Sequence, residues 1–135
     1  LKKKFPENVF IHNTLPINKL IKEISTYDFG INFYIFNRKE TKVSDFTFNG
    51  GMGTKYFTLL EAGLPIIVNS EMKYINELVK KNKIGISLNS KDFHLIDRYI
   101  KKINYPELKK NVKKFKLKNN LFVKSDELVS FYSSL

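Results

Sequence analysis

The residues best suited to chemistry lie in one glycine-rich stretch, residues 49–55, with the sequence NGGMGTK. An apolar segment, 56–62, follows it, and that segment stops at Gly63 before the strand-like residues 64–68. A loop that opens onto a helix N-terminus offers unpaired backbone N–H groups and the positive end of the helix dipole, and both attract phosphate. Lys55 adds a full positive charge. The stretch therefore predicts an anion site, although many loops of this kind only turn the chain.

This stretch matches neither of two common phosphate-binding motifs. The Walker A motif needs Gly-Lys followed by Ser or Thr, whereas here Thr54 precedes Lys55. The dinucleotide fingerprint needs a third glycine where this chain has Tyr56. The anion-site hypothesis therefore depends on the chemistry of the loop and helix and not on a motif.

Composition narrows the class of protein. The 135 residues suit one domain, 1–135, with a hydrophobic core, and 42% hydrophobic with 27% charged residues is typical of a folded chain. The chain has no cysteine, which excludes disulfides and thiolate metal sites, and the separation of His12 from His94 predicts no zinc site. No apolar run is long enough to span a membrane. We expect a cytoplasmic protein and, since the chain begins with Leu1, a piece of a longer one.

The formal net charge of +11 favours anionic partners. Almost all of the positive charge is lysine, with arginine only at Arg38 and Arg98, and this argues against specific nucleic-acid binding because base readout favours arginine. Several lysines share the outer face of a predicted helix, 106–118: Lys109, Lys110, Lys113, Lys114 and Lys116. That face is either simply solvated or docks on an anionic membrane surface.

Apolar periodicity predicts the remaining elements. The first half is predicted to contain a buried strand at 8–12, a helix from Pro16 to about 24, a strand at 28–36, a long loop to Gly53 and a helix at 54–62. A strand at 65–69, a helix at 71–82 and a strand at 85–88 follow. The last elements are a helix capped by Asp92, with Ile96, Tyr99, Ile100 and Ile103 inward, and helices at 106–118 and 125–134. The alternation predicts an α/β fold, a Rossmann-like parallel sheet with helices on both faces. Its ligands would bind where the loops 13–16, 37–55 and 69–71 meet, at the carboxyl ends of the strands.

With these elements in order, the chain resembles the group 1 glycosyltransferases of GT-B fold. The match is to their C-terminal, nucleotide-sugar-binding domain and runs from about residue 8 to the end. The most specific part is Thr54-Lys55, a Glu-containing helix, and then AGLPI at 62–66, similar to the family's Ala-Gly-x-Pro-Val/Ile. Residues 76–79, 84–86 and 126–135 resemble the family's later elements.

The resemblance implies transfer of a sugar from a nucleoside-diphosphate sugar to a glycan or lipid-linked acceptor, in bacterial polysaccharide synthesis, without a metal or further cofactor. It also implies a missing N-terminal acceptor domain and a location in the cytoplasm or at the inner membrane face. Lys55 would be the catalytic group, stabilising the departing phosphate. The implied donor-binding residues are Gly51, Met52, Gly53 and Thr54 for the diphosphate, Thr58 and Glu61 for the ribose, and Asn13, Thr14 and Pro16 for the base.

Two departures from the family pattern bear on activity. The family's Glu-x7-Glu pattern falls on Gly50 and Thr58, and a neutral Thr58 contact is weaker than a charge-assisted one. Glu61 lies on the same helical stripe and is either a substitute or an exposed carboxylate. The family's first strands of this domain are also absent, so we expect this chain alone to be inactive. The alternatives are a degenerate, non-catalytic GT-B-like module or a basic domain that binds a membrane or nucleic acid.

Overall fold

The computed structural model describes residues 9–34 and 53–134. The elements are α1 (Ile17–Ile24), β1 (Gly30–Asn32), α2 (Thr54–Glu61), β2 (Ile66–Asn69), α3 (Lys73–Asn82), β3 (Gly85–Leu88), a 3₁₀ helix (Ser90–Leu95), α4 (Ile96–Lys102), α5 (Tyr105–Lys118) and α6 (Leu121–Ser133). Strands alternate with helices, as the sequence predicts.

The three strands form one parallel sheet in the order β1-β2-β3. Its register pairs Gly30 with Ile66 and Ile66 with Gly85, so the three strands begin at the same level of the sheet. Asn32, Asn69 and Leu88 therefore end the strands at one edge of the sheet. All four residues of the central strand β2 are buried, as expected where helices cover both faces of a parallel sheet.

Each face of the sheet has its own apolar core. On one face Ile66 and Val68 pack with buried residues of α2, α3 and α5, among them Tyr56, Ile75 and Val112. On the other face the buried residues are Ile67, Ile86 and Leu88, and Phe29, Phe33, Ile96, Ile100 and Ile103 pack against them. The predicted α/β fold, a Rossmann-like parallel sheet with helices on both faces, is confirmed.

Two glycines allow the link between α2 and β2 and the close pairing of β2 with β3. Gly63 has a positive φ of +80°. Gly63 N donates a hydrogen bond to Leu60 O, and Leu64 N donates one to Leu59 O, so α2 ends in a Schellman motif. A Cβ at Gly85 would lie 1.9 Å from the backbone oxygen of Ile66, so only glycine fits. The helix stop at Gly63 predicted from the sequence is thus confirmed.

Two predicted strands differ from the structure. The strand at 8–12 is wrong, because residues 9–12 have no regular structure and Phe10 is 77% exposed. In the described residues β1 is the edge of the sheet, and an apolar run becomes a strand only where another strand pairs with it. The strand at 28–36 is confirmed only at Gly30–Asn32, where Ile31 is exposed; its last two residues lie outside the described part.

Three details of the predicted helices are also corrected. Asn89, not Asp92, caps the helical segment after β3, because its side chain accepts a hydrogen bond from Lys91 N. Ile96, Ile100 and Ile103 pack against the sheet as predicted. Ile96 and Ile100, four residues apart, form the inner face of α4, and Tyr99 beside them is 39% exposed instead of inward. The last helix begins earlier than predicted, at Leu121, and its Phe131 and Tyr132 are exposed.

Candidate functional site

The N-terminus of α2 is open to solvent near the carboxyl edge of the sheet. The helix begins at Thr54, and its cap, Gly53, has extended backbone with no side-chain cap bond. A Cβ added at Gly53 would meet no atom within 4 Å, so this turn is not packed against the described protein. Thr54 and Lys55 are exposed. Gly51 and Met52, predicted to join them, lie outside the described residues.

A cavity of about 240 Å³ lies beside this helix end, between α1, β1 and α2. Among the described residues four aliphatic and three polar side chains line it: Leu20, Ile24, Ile31, Asn32, Lys55, Thr58 and Leu59. Lys55 and Thr58, both predicted from the sequence, are thus brought into one cavity wall. Thr58 Oγ1 donates a 3.2 Å hydrogen bond to Thr54 O, so its lone pairs remain as acceptors.

Asn32 is the polar residue of this cavity that sequence reasoning missed. It ends β1, is 9% exposed, and its Nδ2 is buried without a hydrogen-bond partner among residues 9–34 and 53–134. An unpaired buried amide costs free energy. The signal in the sequence was a polar residue inside the apolar run that forms β1 and its flanks.

Glu61 lies apart from this cavity. It is the last residue of α2, about 10 Å along the helix axis from Thr54. There it lines a second cavity, of about 330 Å³, between α2 and α5, together with Phe57, Leu60, Phe115, Lys116, Asn119 and Asn120. Glu61 and Thr58 lie on one helical stripe but line different cavities.

The predicted base-binding segment is exposed. Asn13 and Thr14 precede α1 without regular structure, and neither lines the cavity. Pro16 is the N-cap of α1, and its carbonyl oxygen accepts the bond from Leu20 N at 2.8 Å. This segment therefore leads into α1, and α1 in turn contributes Leu20 to the cavity wall.

The loop after β2 is fixed by Glu71. Its Oε1 accepts hydrogen bonds from Ser90 N at 2.7 Å and Ser90 Oγ at 2.5 Å, which ties the carboxyl ends of β2 and β3 together. Burial on its own raises the pKa of Glu71, but hydrogen bonds, led by the two from Ser90, outweigh it, so the pKa lies below its usual value. Glu71 Oε2 is buried without a partner among the described residues.

Tyr56 packs the first turn of α2 onto the protein core. It is fully buried, and its hydroxyl donates to Met72 Sδ at 3.2 Å. Burial, and secondarily the neighbouring Tyr34, raises the pKa of Tyr56 to about 12. The residue is therefore a neutral packing group that holds the helix end in place.

Two lysines of the predicted basic face bind backbone carbonyl groups at the C-terminal end of α2. Lys109 Nζ donates to Gly63 O at 2.9 Å, and Lys116 Nζ donates to Glu61 O at 2.6 Å. Cations at a helix C-terminus stabilise it through the dipole and its unpaired carbonyls. The exposed lysines Lys110, Lys113 and Lys114 remain on that face, so docking on an anionic surface stays a prediction.

Two further observations concern metals and membranes. Within residues 9–34 and 53–134, no three His, Cys, Asp or Glu side chains are grouped so that they could hold a metal ion. Across the same ranges, no helix combines the length and apolarity needed to cross a membrane.

Comparison with known proteins gives the family. Comparisons with curated proteins and with solved structures returned no significant match. The family model of the glucosyltransferase 3-like C-terminal domain matches residues 1–126, which is nearly all of the chain. The chain therefore belongs to the glucosyltransferase 3-like C-terminal domain family and is a glycosyltransferase-related domain.

Proposed function

We propose that this domain binds the nucleoside-diphosphate-sugar donor of a glycosyltransferase, with the donor diphosphate at the N-terminus of α2. The observation that carries the proposal is that this helix end, which is exposed and has no side-chain cap among residues 9–34 and 53–134, and Lys55 adjoin a cavity at the carboxyl edge of a parallel sheet. Ligands of open α/β sheets bind at that edge. Membership of the glucosyltransferase 3-like family supports the reaction class.

The chemistry of the helix end suits a diphosphate. The first N–H groups of α2 have no intrahelical acceptor, and the dipole places partial positive charge there. Sugar transfer breaks the bond between the anomeric carbon and a phosphate oxygen, and the nucleoside diphosphate leaves with negative charge. Lys55 would stabilise that charge, alongside the backbone N–H groups of Thr54 and Gly53. Such preorganised electrostatic groups often supply the largest part of a rate enhancement.

The finer assignment follows the resemblance to group 1 enzymes of GT-B fold. On this proposal a second domain binds the acceptor, a glycan or a lipid-linked sugar, and the two domains close around the donor. Thr58 is then a neutral substitute for the ribose-binding carboxylate, and Glu61, at the far end of α2, is not a donor contact. The rival hypothesis, a degenerate module without catalysis, predicts no donor affinity.

The test is calorimetric titration of the full-length protein with UDP, GDP, dTDP, CDP and ADP. Lys55→Gln should weaken binding of the preferred nucleotide about 10- to 100-fold, since a hydrogen bond to a charged group contributes about 1.5–3 kcal/mol. The matched control is Lys73→Gln, which removes an exposed lysine from the first turn of α3. Equal affinities of the two variants, or no binding of any nucleotide to the unmodified protein, would overturn the proposal.

A further inference from the structure

The outer side of α5 carries several lysines and little negative charge. Residues 108–118 contain six lysines and no acidic residue, and Glu107 in the first turn is the one carboxylate of the helix. Lys109 and Lys116 bind the end of α2. The other four are exposed: Lys110, Lys113, Lys114 and Lys118. Within residues 9–34 and 53–134 none of these four forms an ion pair. The part of the chain that the structure describes therefore leaves their charge uncompensated.

The end of α3 extends this positive surface. Asn111 Nδ2 on α5 donates a 3.2 Å hydrogen bond to Lys83 O, so the residue that caps α3 lies against the middle of α5. Lys114 and Lys118 follow Asn111 by three and seven residues and therefore share its side of the helix. Lys83 is exposed beside them. Together these side chains and Leu117 form what we call the lysine–leucine face: Lys83, Lys110, Lys113, Lys114, Leu117 and Lys118.

Leu117 is an apolar side chain placed among these charges. It is 59% exposed, and it follows Lys113 by four residues and Lys114 by three, so both lysines are its neighbours on the helix surface. A leucine in such a place leaves apolar surface in water. Lys110 and Lys114 are like charges four residues apart, which destabilises a helix. A partner that is both anionic and apolar would relieve both effects.

An anionic lipid surface has these two properties. Its headgroups attract lysines, and the acyl region directly beneath them takes up an apolar side chain. A nucleic acid also offers phosphates to the lysines, but it has no apolar layer behind them for Leu117. The lysine–leucine face contains no arginine, the residue that suits contacts with bases. The chemistry of the face therefore favours a lipid surface over a nucleic acid.

We propose that the lysine–leucine face docks this domain on a membrane surface that contains anionic lipids. The lysines contact the headgroup phosphates, and Leu117 enters the boundary between headgroups and acyl chains. The inference goes beyond donor binding and does not depend on it. The inner side of α5 contacts the C-terminal end of α2, whereas the proposed diphosphate site is at the N-terminal end of that helix. Docking through the outer side of α5 therefore leaves that site open.

The experiment is cosedimentation of the full-length protein with two kinds of vesicle. One is phosphatidylcholine alone, and in the other phosphatidylglycerol replaces about a third of that lipid. We expect binding to the mixed vesicles only, and weaker binding as the salt concentration rises. The combined variant Lys110→Gln, Lys113→Gln, Lys114→Gln and Lys118→Gln should bind at least about 100-fold more weakly, since each lysine near an anionic surface contributes about fivefold. Leu117→Gln should weaken binding about fivefold, because it removes the inserted apolar group.

The matched control is the combined variant Lys19→Gln, Lys22→Gln, Lys73→Gln and Lys91→Gln. It removes the same charge at exposed positions outside the lysine–leucine face, and its binding should stay within about threefold of the unmodified protein. Equal losses in the two combined variants would show that net charge and not this face is responsible, and would overturn the inference.

Other results would also overturn it. They are equal binding to the two kinds of vesicle, and Leu117→Gln binding as tightly as the unmodified protein. Binding to duplex DNA but not to the mixed vesicles would assign the lysine–leucine face to nucleic acid and reject the membrane. If the combined variant of α5 does not fold, the single changes Lys113→Gln and Leu117→Gln decide, and each should weaken binding about fivefold.

Discussion

The side-chain amide of Asn69 holds the backbone of Tyr34 through two hydrogen bonds. Asn69 Oδ1 accepts from Tyr34 N at 2.6 Å, and Asn69 Nδ2 donates to Tyr34 O at 2.7 Å. Asn69 ends β2 and is fully buried, whereas Tyr34 lies two residues beyond β1. The side-chain amide therefore continues the hydrogen bonding between β1 and β2 beyond the last paired residues of the two strands. It fixes the position of the backbone just after β1, beside the cavity.

Asn69→Ala should lower the free energy of unfolding by about 2–3 kcal/mol, because two partly buried hydrogen bonds are lost and two backbone groups of Tyr34 lose this partner. Urea denaturation measures this. Asn111→Ala is the control, since it removes a single amide bond, to Lys83 O, at an exposed site and should cost under about 1 kcal/mol. Equal losses in the two variants would show that Asn69 is not the anchor described here.

Gly85→Ala should destabilise the sheet by about 3 kcal/mol or prevent folding. The new Cβ would overlap the backbone oxygen of Ile66, and backbone in the central strand cannot move without breaking the register. Thermal unfolding followed by circular dichroism measures the loss. Gly53→Ala is the matched control, since open space surrounds that position, and its cost should stay below about 1 kcal/mol. A Gly85→Ala protein with normal stability would contradict the pairing of β2 and β3.

Lys109→Met and Lys116→Met should each lower stability by about 0.5–1 kcal/mol, because each removes a cation from a carbonyl at the C-terminal end of α2. Chemical denaturation at low salt gives the differences. Lys113→Met changes the net charge equally on the same helix, at an exposed position, and should be close to neutral. If all three variants behave alike, the effect comes from net charge and not from the helix end.

Stability should depend on the charge of Glu71. Because folding lowers the pKa of this carboxyl from its ordinary 4.5, its contribution is fully present above that value and disappears as the pH falls through the folded-state pKa. Glu71→Gln should therefore be less stable than the unmodified protein near neutral pH, and the difference should shrink in acid. Denaturation curves across the acidic range test this, with the exposed Glu77→Gln as control. A difference that is constant with pH would refute the linkage.

Local sequence signals predicted most of the regular structure in the described residues. The spacing of apolar residues gave α2, β2 and β3 to within a residue or two, and Gly63 marked the end of α2, since these signals act within one or two turns of the chain. The sequence also predicted the start of α2 at Thr54 and Lys55. Glycines followed by a hydroxyl residue and a lysine are typical of a loop that leads into a helix N-terminus, and this signal is local in the chain.

Contacts between distant segments could not be predicted in the same way. Residues 9–12 read as a buried strand, but a strand needs a neighbour, and only the sheet shows which strands pair. A one-dimensional pattern also did not reveal that Asn32 and Thr58 would line the same cavity, or that Lys109 and Lys116 would bind the carbonyls at the end of α2. The sequence by itself determined the helices, strands and helix ends, because hydrogen bonds between near neighbours form them. Only the tertiary structure decided which polar groups were buried without partners, because burial depends on what the rest of the chain packs against.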